Sequence, residues 1–142
     1  MLDDTYTLVS CYAPNQEMNR ITFFQTLQTW VNTYASNLNN VIIAGDLNCA
    51  IRDMDRVPVT HLADKSRNEL RSIISSLNLV DLWVDKCGDE PGFTYFDKKN
   101  NSKSRLDYIL ISKSISLDNV SIEVTSPINQ KHGDHKGVNS LF

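Results

Sequence analysis

A short apolar run, Asn40-Val-Ile-Ile-Ala44, constrains the fold of this chain most strongly. Its four hydrophobic residues follow one another without polar alternation, which is typical of a strand that is buried on both faces. Patterns of helical spacing lie before and after this run. A strand of that kind between two helices predicts a protein of the α/β (α+β) class.

The two helices are predicted from the spacing of their apolar residues. The first covers Arg20 to about Ala35, and the second begins with the capping-box sequence Ser66-Arg-Asn-Glu69 and ends near Asn78. In both, apolar residues recur every three or four positions, as they do on the buried face of a helix. These residues are Ile21, Phe24, Leu27, Val31 and Tyr34 in the first helix and Leu70, Ile73, Ile74 and Leu77 in the second.

The remaining strands are predicted from runs of β-branched and aromatic residues between turn-forming residues. The loop Asp97 to Lys103 is expected to join two of them into a hairpin, and Cys49 to Lys65, with Pro58 in the middle, is expected to be a long loop. The predicted strands are Tyr6–Tyr12, Asn40–Gly45, Phe93–Phe96, Ser104–Ser112, Val120–Thr125 and Gly137–Phe142.

The bulk composition is that of one domain over residues 1–142. With 142 residues, 41% of them hydrophobic, the chain can bury a core of its own. No apolar stretch approaches the ~18 residues needed to cross a bilayer, and Asp3 and Asp4 are unlike a signal peptide, so we expect an intracellular protein without a membrane partner. The three cysteines form no Cys-x-x-Cys pair, so we expect them to be reduced and mostly buried.

The charge of −3 argues against nucleic-acid binding by bulk electrostatics alone. A bound divalent cation would change that balance locally.

The segment Gly45-Asp-Leu-Asn48 places polar side chains where the apolar strand ends. Residues two apart in an extended chain project to the same side, so Asp46 and Asn48 can reach one ligand together. In α/β proteins the ends of such strands commonly form the functional site. Aspartate and asparagine are also common turn formers, so this segment alone is not decisive.

A second carboxylate, Asp107, shares a strand face with Ile109 and Ile111. A carboxylate that faces an apolar layer costs free energy unless it is paired, although an aspartate at a strand's open end can also be solvated or bonded to a turn. The cluster His132-Gly-Asp-His135 offers a partner, and its simpler interpretation is a polar turn. A bond from His135 to Asp107 would fix the tautomer of the imidazole and leave Asp134 free to hold a cation.

Taken in order, the strand-end Asp and Asn, the paired Asp and the Asp-His segment indicate hydrolysis of a phosphodiester. One carboxylate would activate water, an amide and an imidazole would surround the phosphoryl oxygens, and a metal ion would neutralise charge.

Other residues with suggestive chemistry have simpler interpretations. Lysines around the predicted hairpin, with Arg105, could contact a phosphate backbone or form a solvated loop. Trp30 and Trp83 are expected in the core, and His61 has no evident partner. The lysines are Lys98, Lys99 and Lys103.

These residues resemble the endonuclease/exonuclease/phosphatase superfamily, and specifically the apurinic-like endonuclease domain of non-LTR (LINE-type) retrotransposons. The resemblance covers nearly the whole chain. It is carried by Tyr12-Ala-Pro-Asn15, Gly45-Asp-Leu-Asn-Cys49 with Asp55-Arg56, Leu79-Val-Asp-Leu-Trp83, Phe93-Thr94, Ser104-Arg-Leu-Asp-Tyr-Ile-Leu110 and Gly133-Asp-His135.

The resemblance implies a DNase I-like fold, a four-layer α/β/β/α sandwich in which two sheets pack face to face with helices outside. It also implies an endonuclease that nicks target DNA with Mg²⁺ (or Mn²⁺), is nuclear, and is normally fused to a reverse transcriptase. No particular oligomeric state is predicted.

The resemblance also implies roles for individual residues. Asp46 would orient or deprotonate the attacking water, and Asn48 would hold the phosphate in the transition state. His135, backed by Asp107, would contact the phosphoryl oxygens. The remaining roles fall to Tyr12 near the phosphate or leaving group, Asp134 at the metal, and Thr94 in contact with the DNA strand. Arg105 is also expected in substrate binding, as one of the basic residues around the hairpin.

Two departures from the family pattern are visible. Gly133 stands where the family usually has Ser before Asp-His. The family's first Asn and its metal-binding Glu lie on strands upstream of Tyr12-Ala-Pro-Asn15, so we expect a partial sandwich that lacks its N-terminal strands, and low activity of this polypeptide.

Three alternatives stay open at this point. An abasic-site repair nuclease belongs to the same superfamily. An inositol phosphate or lipid phosphoesterase does too, but the inositol phosphatases carry Trp-Cys-Asp-Arg where this chain has Ser104-Arg-Leu-Asp107. The third alternative is a retroelement fragment without catalytic activity.

Overall fold

The computed structural model describes residues 5–59, 64–125 and 134–141. Three helices and nine strands lie in these ranges, together with single 3-10 turns at Leu38–Asn40 and Asp53–Asp55. The helices are α1 (Glu17–Tyr34), α2 (Lys65–Ser76) and α3 (Leu82–Cys87). The strands are β1 (Thr7–Tyr12), β2 (Val41–Asp46), β3 (Arg56–Val57), β4 (Leu79–Asp81), β5 (Tyr95–Asp97), β6 (Ser102–Ser104), β7 (Asp107–Ser112), β8 (Ser121–Thr125) and β9 (Gly137–Leu141).

The main sheet has four strands in the order β1-β2-β7-β4. The first pair is parallel and the other two pairs are antiparallel, so the sheet is mixed. The apolar faces of α1 and α2 pack with one face of this sheet to form the core. The core includes Phe24, Leu27, Val31, Val41, Ile43, Leu70, Ile73, Tyr108 and Leu110.

Two smaller sheets complete the described architecture. One has the order β3-β6-β5, and the other pairs β8 with β9. The predicted mixture of helices and sheets is therefore confirmed. The described part of the chain contains no helix that is long and apolar enough to cross a membrane.

Most elements lie within a few residues of their predicted bounds. The first strand, α1, β2 and α2 are present, as are the two strands near the C-terminus, while Phe142 lies outside the described residues. Cys11 and Cys49 are buried and all three cysteines are free, as expected. Trp30 is 45% exposed, because it lies on the outer side of α1, so its predicted core position is wrong.

The start of α2 differs from the predicted capping box. The N-cap is Asp64, whose carboxylate accepts a hydrogen bond from the Ser66 backbone N–H. Ser66 lies inside the helix, where its hydroxyl accepts a bond from Arg20 Nε at 2.7 Å. Arg20 is 6% exposed, and its Nη1 donates to the carbonyls of Pro14 and Asn15. The capping aspartate thus serves a buried arginine as well as the helix.

The predicted strand Ser104–Ser112 divides between two sheets. Its first residue ends β6, which forms the expected hairpin with β5, and residues 107–112 form β7 of the main sheet. Arg105 and Leu106 connect the two sheets. The predicted loop Cys49–Lys65 is also interrupted, because Arg56 and Val57 pair with Ser104 and Lys103 as strand β3.

Candidate active site

The strand-end segment Gly45-Asp-Leu-Asn48 is held in a sharp turn. Gly45 has φ +140°, and a Cβ atom there would lie 1.9 Å from the backbone oxygen of Cys11. Only glycine therefore fits at this point of the sheet. Asn48 adopts a left-handed conformation with φ 47°, which asparagine tolerates better than most residues.

Hydrogen bonds fix both polar side chains of this turn. Asp46 Oδ1 accepts a bond from the Asn48 backbone N–H at 2.8 Å. Asn48 Nδ2 donates to the carbonyl of Ala13 at 2.7 Å, which anchors the amide to the loop after β1. The amide keeps a second hydrogen that can be donated to a ligand.

Strand β7 brings the second carboxylate to the same place. In the antiparallel β2–β7 pair, Asp46 and Asp107 lie directly opposite each other. Such pairs have Cβ atoms about 4.5–5.5 Å apart. Two carboxylates that start 61 positions apart in the chain thus become neighbours through strand register alone.

His135 completes the group. Its Nδ1 lies 2.9 Å from Asp107 Oδ2, and because an ionised carboxylate only accepts hydrogen bonds, the imidazole carries its proton on Nδ1. Its Nε2 lies 3.8 Å from Asp46 Oδ2, which is too far for a direct hydrogen bond. The two side chains are nevertheless close enough to ligate one cation together.

Backbone contacts hold the histidine segment against the hairpin. His135 forms an isolated bridge with Tyr95, and their ring centroids are 5.1 Å apart. Phe96 N donates to the Asp134 carbonyl at 2.9 Å, and Lys136 N donates to the Thr94 carbonyl at 2.6 Å. The hairpin of the second sheet therefore places His135 over the end of the main sheet.

Asp46, Asp107 and His135 form a cluster whose ligand atoms all lie within 4.8 Å of one another. Carboxylates of this kind are what hard divalent cations prefer, so the donor set fits a metal ion. In the described ranges Asp134 is exposed and is not a member of this cluster. Gly133, which stands where the family usually has Ser, lies outside the described residues.

The environment of the Asp46 carboxyl raises its pKa. Burial raises its pKa, the Asn48 backbone hydrogen bond lowers it, Asp107 raises it, His135 lowers it and Asp134 raises it, and the net direction is upward. An ionised Asp46 is therefore a better proton acceptor than a surface aspartate.

The residues expected to contact substrate differ in their exposure. Tyr12 is 70% exposed beside Asp46, with which it pairs in register across β1 and β2. Thr94 is fully buried, and its hydroxyl accepts bonds from Leu106 N and Asp107 N at 3.0 and 3.2 Å. Arg105 is 2% exposed and bonded to Asp55 and Asp81. Neither Thr94 nor Arg105 presents a free polar group to a substrate.

Asp55 and Asp81, the acidic partners of Arg105, lie in segments that carry the family resemblance, but the sequence predicted no role for either. The available signal was Asp81 within Leu79-Val-Asp-Leu-Trp83, because an acid among apolar residues requires a cationic partner when it is buried.

Comparisons with known proteins identify the family and the fold of the chain. A family model described as the Endonuclease/Exonuclease/phosphatase family matches residues 2–129. The chain is 34% identical over 113 residues to the "Transposon TX1 uncharacterized 149 kDa protein" of Xenopus laevis, a match that covers 78% of this chain and 8% of that protein. The chain thus spans less than a tenth of the length of this relative.

Solved structures with the same fold include three nucleases. The 3'-5' exonuclease NExo of Neisseria meningitidis has a TM-score of 0.80 at 18% identity and covers 95% of this chain and 60% of its own. An AP endonuclease from Archaeoglobus fulgidus has a TM-score of 0.78 at 16% identity, with coverage of 95% and 60%. The endonuclease domain of TRAS1, a telomere-specific non-LTR retrotransposon, has a TM-score of 0.64 at 17% identity, with coverage of 97% and 57%.

These similarities confirm the expected fold, the α/β sandwich of DNase I-like proteins.

Proposed function

The chain belongs to the endonuclease/exonuclease/phosphatase family, and from that premise we propose that it is a metal-dependent DNA endonuclease of the non-LTR retrotransposon type. The convergence of Asp46, Asp107 and His135 beside the Asn48 amide carries this proposal. The transposon relative at 34% identity supports the retrotransposon branch. A position within a longer polypeptide that includes a reverse transcriptase is part of the same proposal.

The proposed chemistry is attack of water on phosphorus. Asp46 accepts a proton from the water, a new P–O bond forms, and the bond to one DNA oxygen breaks, after which that oxygen takes up a proton. Tyr12, exposed beside Asp46, is the group that we assign to the leaving oxygen.

Asn48 and His135 surround the phosphoryl group in this proposal. The free amide hydrogen of Asn48 donates to a phosphoryl oxygen, and so does His135 Nε2 when it is protonated, with Asp107 holding the ring from the other side. His135 Nε2 makes no direct hydrogen bond to Asp46, since the two atoms are 3.8 Å apart, so it can donate to a phosphoryl oxygen.

Mg²⁺, or Mn²⁺, is the cation that we propose for this centre. Asp46 and Asp107 would hold it, with Asp134 contributing directly or through water. When bound, the cation supplies Lewis-acid polarisation of the phosphoryl oxygens and neutralises negative charge. We assign Thr94 to holding the backbone of residues 106 and 107, because its hydroxyl bonds both of their N–H groups.

A plasmid-nicking assay tests the proposal. We expect the purified chain to relax supercoiled DNA slowly with Mg²⁺ or Mn²⁺, in line with the low activity expected from the sequence, and to lose this activity in EDTA. Asp46→Ala and His135→Ala should each lower the rate by about 10²–10⁴-fold. Asp118→Asn is the matched control, since this carboxylate lies outside the cluster and bonds only Ser116 among the described residues.

Substrate choice separates the proposal from its relatives. We expect an intact duplex to be nicked as fast as one that contains an abasic site, and inositol phosphates to be left unchanged. Preference for the abasic duplex would reassign the chain to DNA repair. Nicking that persists in both alanine variants would remove the assignment of the site altogether.

A further inference from the structure

A buried cluster of charged side chains, Asp55, Arg105 and Asp81, lies where the two sheets join; we call it the Arg105 clamp. The side chains are 3%, 2% and 11% exposed, respectively. The guanidinium binds Asp55 through Nε at 3.1 Å and Nη2 at 2.9 Å. It binds Asp81 through Nη1 at 2.9 Å and Nη2 at 2.7 Å. One arginine thus forms two bidentate pairs, a geometry that lysine cannot reproduce.

The clamp connects three separate segments of the chain. Asp55 ends the 3-10 turn Asp53–Asp55, which follows the segment Gly45-Asp-Leu-Asn48 in the chain. Asp81 ends β4 and caps α3 through a bond to the Trp83 backbone N–H at 3.1 Å. Arg105 lies between β6 and β7. The side chains therefore fix the connection between sheets relative to both flanking segments.

Backbone bonds extend this connection to the site. Arg105 N donates to the Asp55 carbonyl at 2.8 Å, and the Tyr108 hydroxyl donates to the Arg105 carbonyl at 2.7 Å. The next residue, Leu106, accepts a bond from Leu47 N at 2.8 Å. Leu47 lies between Asp46 and Asn48, and Leu106 immediately precedes Asp107. The clamp is therefore adjacent to the bond that ties the two halves of the site together.

The charges of the clamp balance locally. Arg52 Nη2 lies 3.1 Å from Asp55 Oδ1, so two arginines face two aspartates. A buried ion pair contributes little net stability compared with apolar side chains of the same volume, because its desolvation offsets its attraction. Its contribution here is a defined geometry, which is what a catalytic group two residues away requires.

We propose that Arg105 is a positioning residue, which, held by Asp55 and Asp81, sets the start of β7 so that Asp107 meets both His135 and Asp46. It acts through Asp107 and does not contact the substrate. This inference rests on the proposed phosphodiesterase function of the site. It gives Arg105 a different role from the substrate contact that the sequence led us to expect.

Two variants that keep most of the volume test the inference. Arg105→Lys keeps the positive charge but loses the two bidentate pairs with Asp55 and Asp81. Asp81→Asn weakens the clamp by removing the negative charge of Asp81, while asparagine can still cap α3. The first readout is ¹⁵N NMR of the His135 ring, assigned by its loss in His135→Gln. We expect exchange of the Nδ1 proton with water to be at least about 10-fold faster in both variants, since the bond to Asp107 is displaced.

The second readout is nicking kinetics. We expect kcat to fall about 10- to 100-fold while KM stays within about 2-fold, as for a group misplaced without loss of substrate binding. Ile73→Val, a small loss of volume in the core on α2, is the matched control for general destabilisation. It should change neither the His135 signal nor kcat.

The outcomes separate the two proposals. A wild-type Nδ1 signal in both clamp variants overturns the positioning role, whatever their nicking rate. A changed signal in Ile73→Val overturns it too, because the effect would then follow stability alone. If the wild-type chain does not nick DNA but the signal changes only in the clamp variants, the positioning role stands and the proposed function falls.

Discussion

At the scale of single residues, Asp46 is the position where burial opposes ionisation. Its side chain is 13% exposed, and Asp107 lies opposite it in the sheet. Because the pKa in the folded chain is raised, ionisation removes stability as the pH rises through the folded pKa. A divalent cation reverses this effect, since it favours the charged form.

Replacement of this carboxylate should therefore stabilise the protein while removing its activity. We expect Asp46→Asn to raise the Tm of the metal-free protein at pH 7, because the amide oxygen can still accept the Asn48 bond. Added Mg²⁺ should raise the Tm of the wild type, because at 100 times Kd its binding adds about 2.7 kcal/mol to the free energy of unfolding. It should have little effect on the Tm of the variant. Differential scanning fluorimetry with and without Mg²⁺ measures both. A wild-type Tm that does not respond to Mg²⁺ contradicts this picture.

Asp107 supports His135 through charge as well as position. Asp107→Asn keeps the shape but allows the amide to donate to Nδ1, which favours the wrong tautomer of the ring. We expect single-turnover nicking to slow by up to about 10⁴-fold, the loss seen when the aspartate behind a catalytic histidine is replaced by asparagine. DNA affinity measured by fluorescence anisotropy should stay within about 2-fold. A large loss of affinity would instead indicate that Asp107 contributes to binding.

At the scale of elements, the spacing of apolar residues predicted which faces of the helices are buried. Phe24, Leu27 and Val31 in α1 and Leu70 and Ile73 in α2 are buried as their spacing indicated. The division of Ser104–Ser112 was not visible, because the β-forming composition continues through Arg105 and Leu106. Bonds to Asp55, Asp81 and Thr94, which are distant in sequence, determine where the chain changes sheets.

In the candidate site, too, local patterns were visible in the sequence and long-range packing was not. The strand ends and the Asp-His segment predicted Asp46, Asp107 and His135, and the structure places their side chains together. Burial of Thr94 and Arg105 depends on packing between the two sheets. The sequence motif that contains these residues carries no direct signal of that packing.

Gly45, near the end of β2, makes a specific prediction about glycine. Gly45→Ala should destabilise the protein by at least about 3 kcal/mol, because strain at φ +140° adds to a clash with the Cys11 backbone. Gly88→Ala is the matched control. Gly88 also has a positive φ, of +59°, but nothing lies within 4 Å of its Cβ position, so only the backbone strain of about 1–3 kcal/mol is expected. Urea unfolding of both variants measures the difference, and equal losses would show that the clash is relieved.

The start of α2 gives a second contrast between sequence and structure. Asp64→Ala should cost about 3 kcal/mol, because it removes the helix cap and the carboxylate 3.0 Å from the buried Arg20. Glu69→Ala should cost less than about 0.5 kcal/mol, since the helix is not capped from that position. Thermal unfolding of the two variants ranks them. The reverse order would restore the predicted capping box.

At the scale of the whole molecule, two carboxylates contribute to the response to acid: Asp55, which is buried, and Asp64, which is partly exposed. Burial alone would raise the pKa of Asp55 and Asp64, but bonds from Arg105 and Arg52 to the first, and from Ser66 and Arg20 to the second, lower both overall. Groups with a lowered folded pKa stabilise the protein above their unfolded pKa of about 3.9. That stability is lost as the pH falls below this value through the folded pKa.

We therefore expect the Tm to fall steeply as the pH falls below about 4. Asp55→Asn should flatten part of this decline, because its carboxylate can no longer be protonated. Circular dichroism melts between pH 7 and pH 3 measure the profile. An acid limb as steep in Asp55→Asn as in the wild type would remove Asp55 from this account.

The register of β2 against β7 has a consequence for how the protein matures. Slippage of that pair by one residue would turn the affected side chains to the opposite face and separate the two carboxylates. A misfolded chain with the wrong register would therefore not bring Asp46 opposite Asp107. The meeting of these two side chains thus marks a chain that has completed the correct long-range pairing.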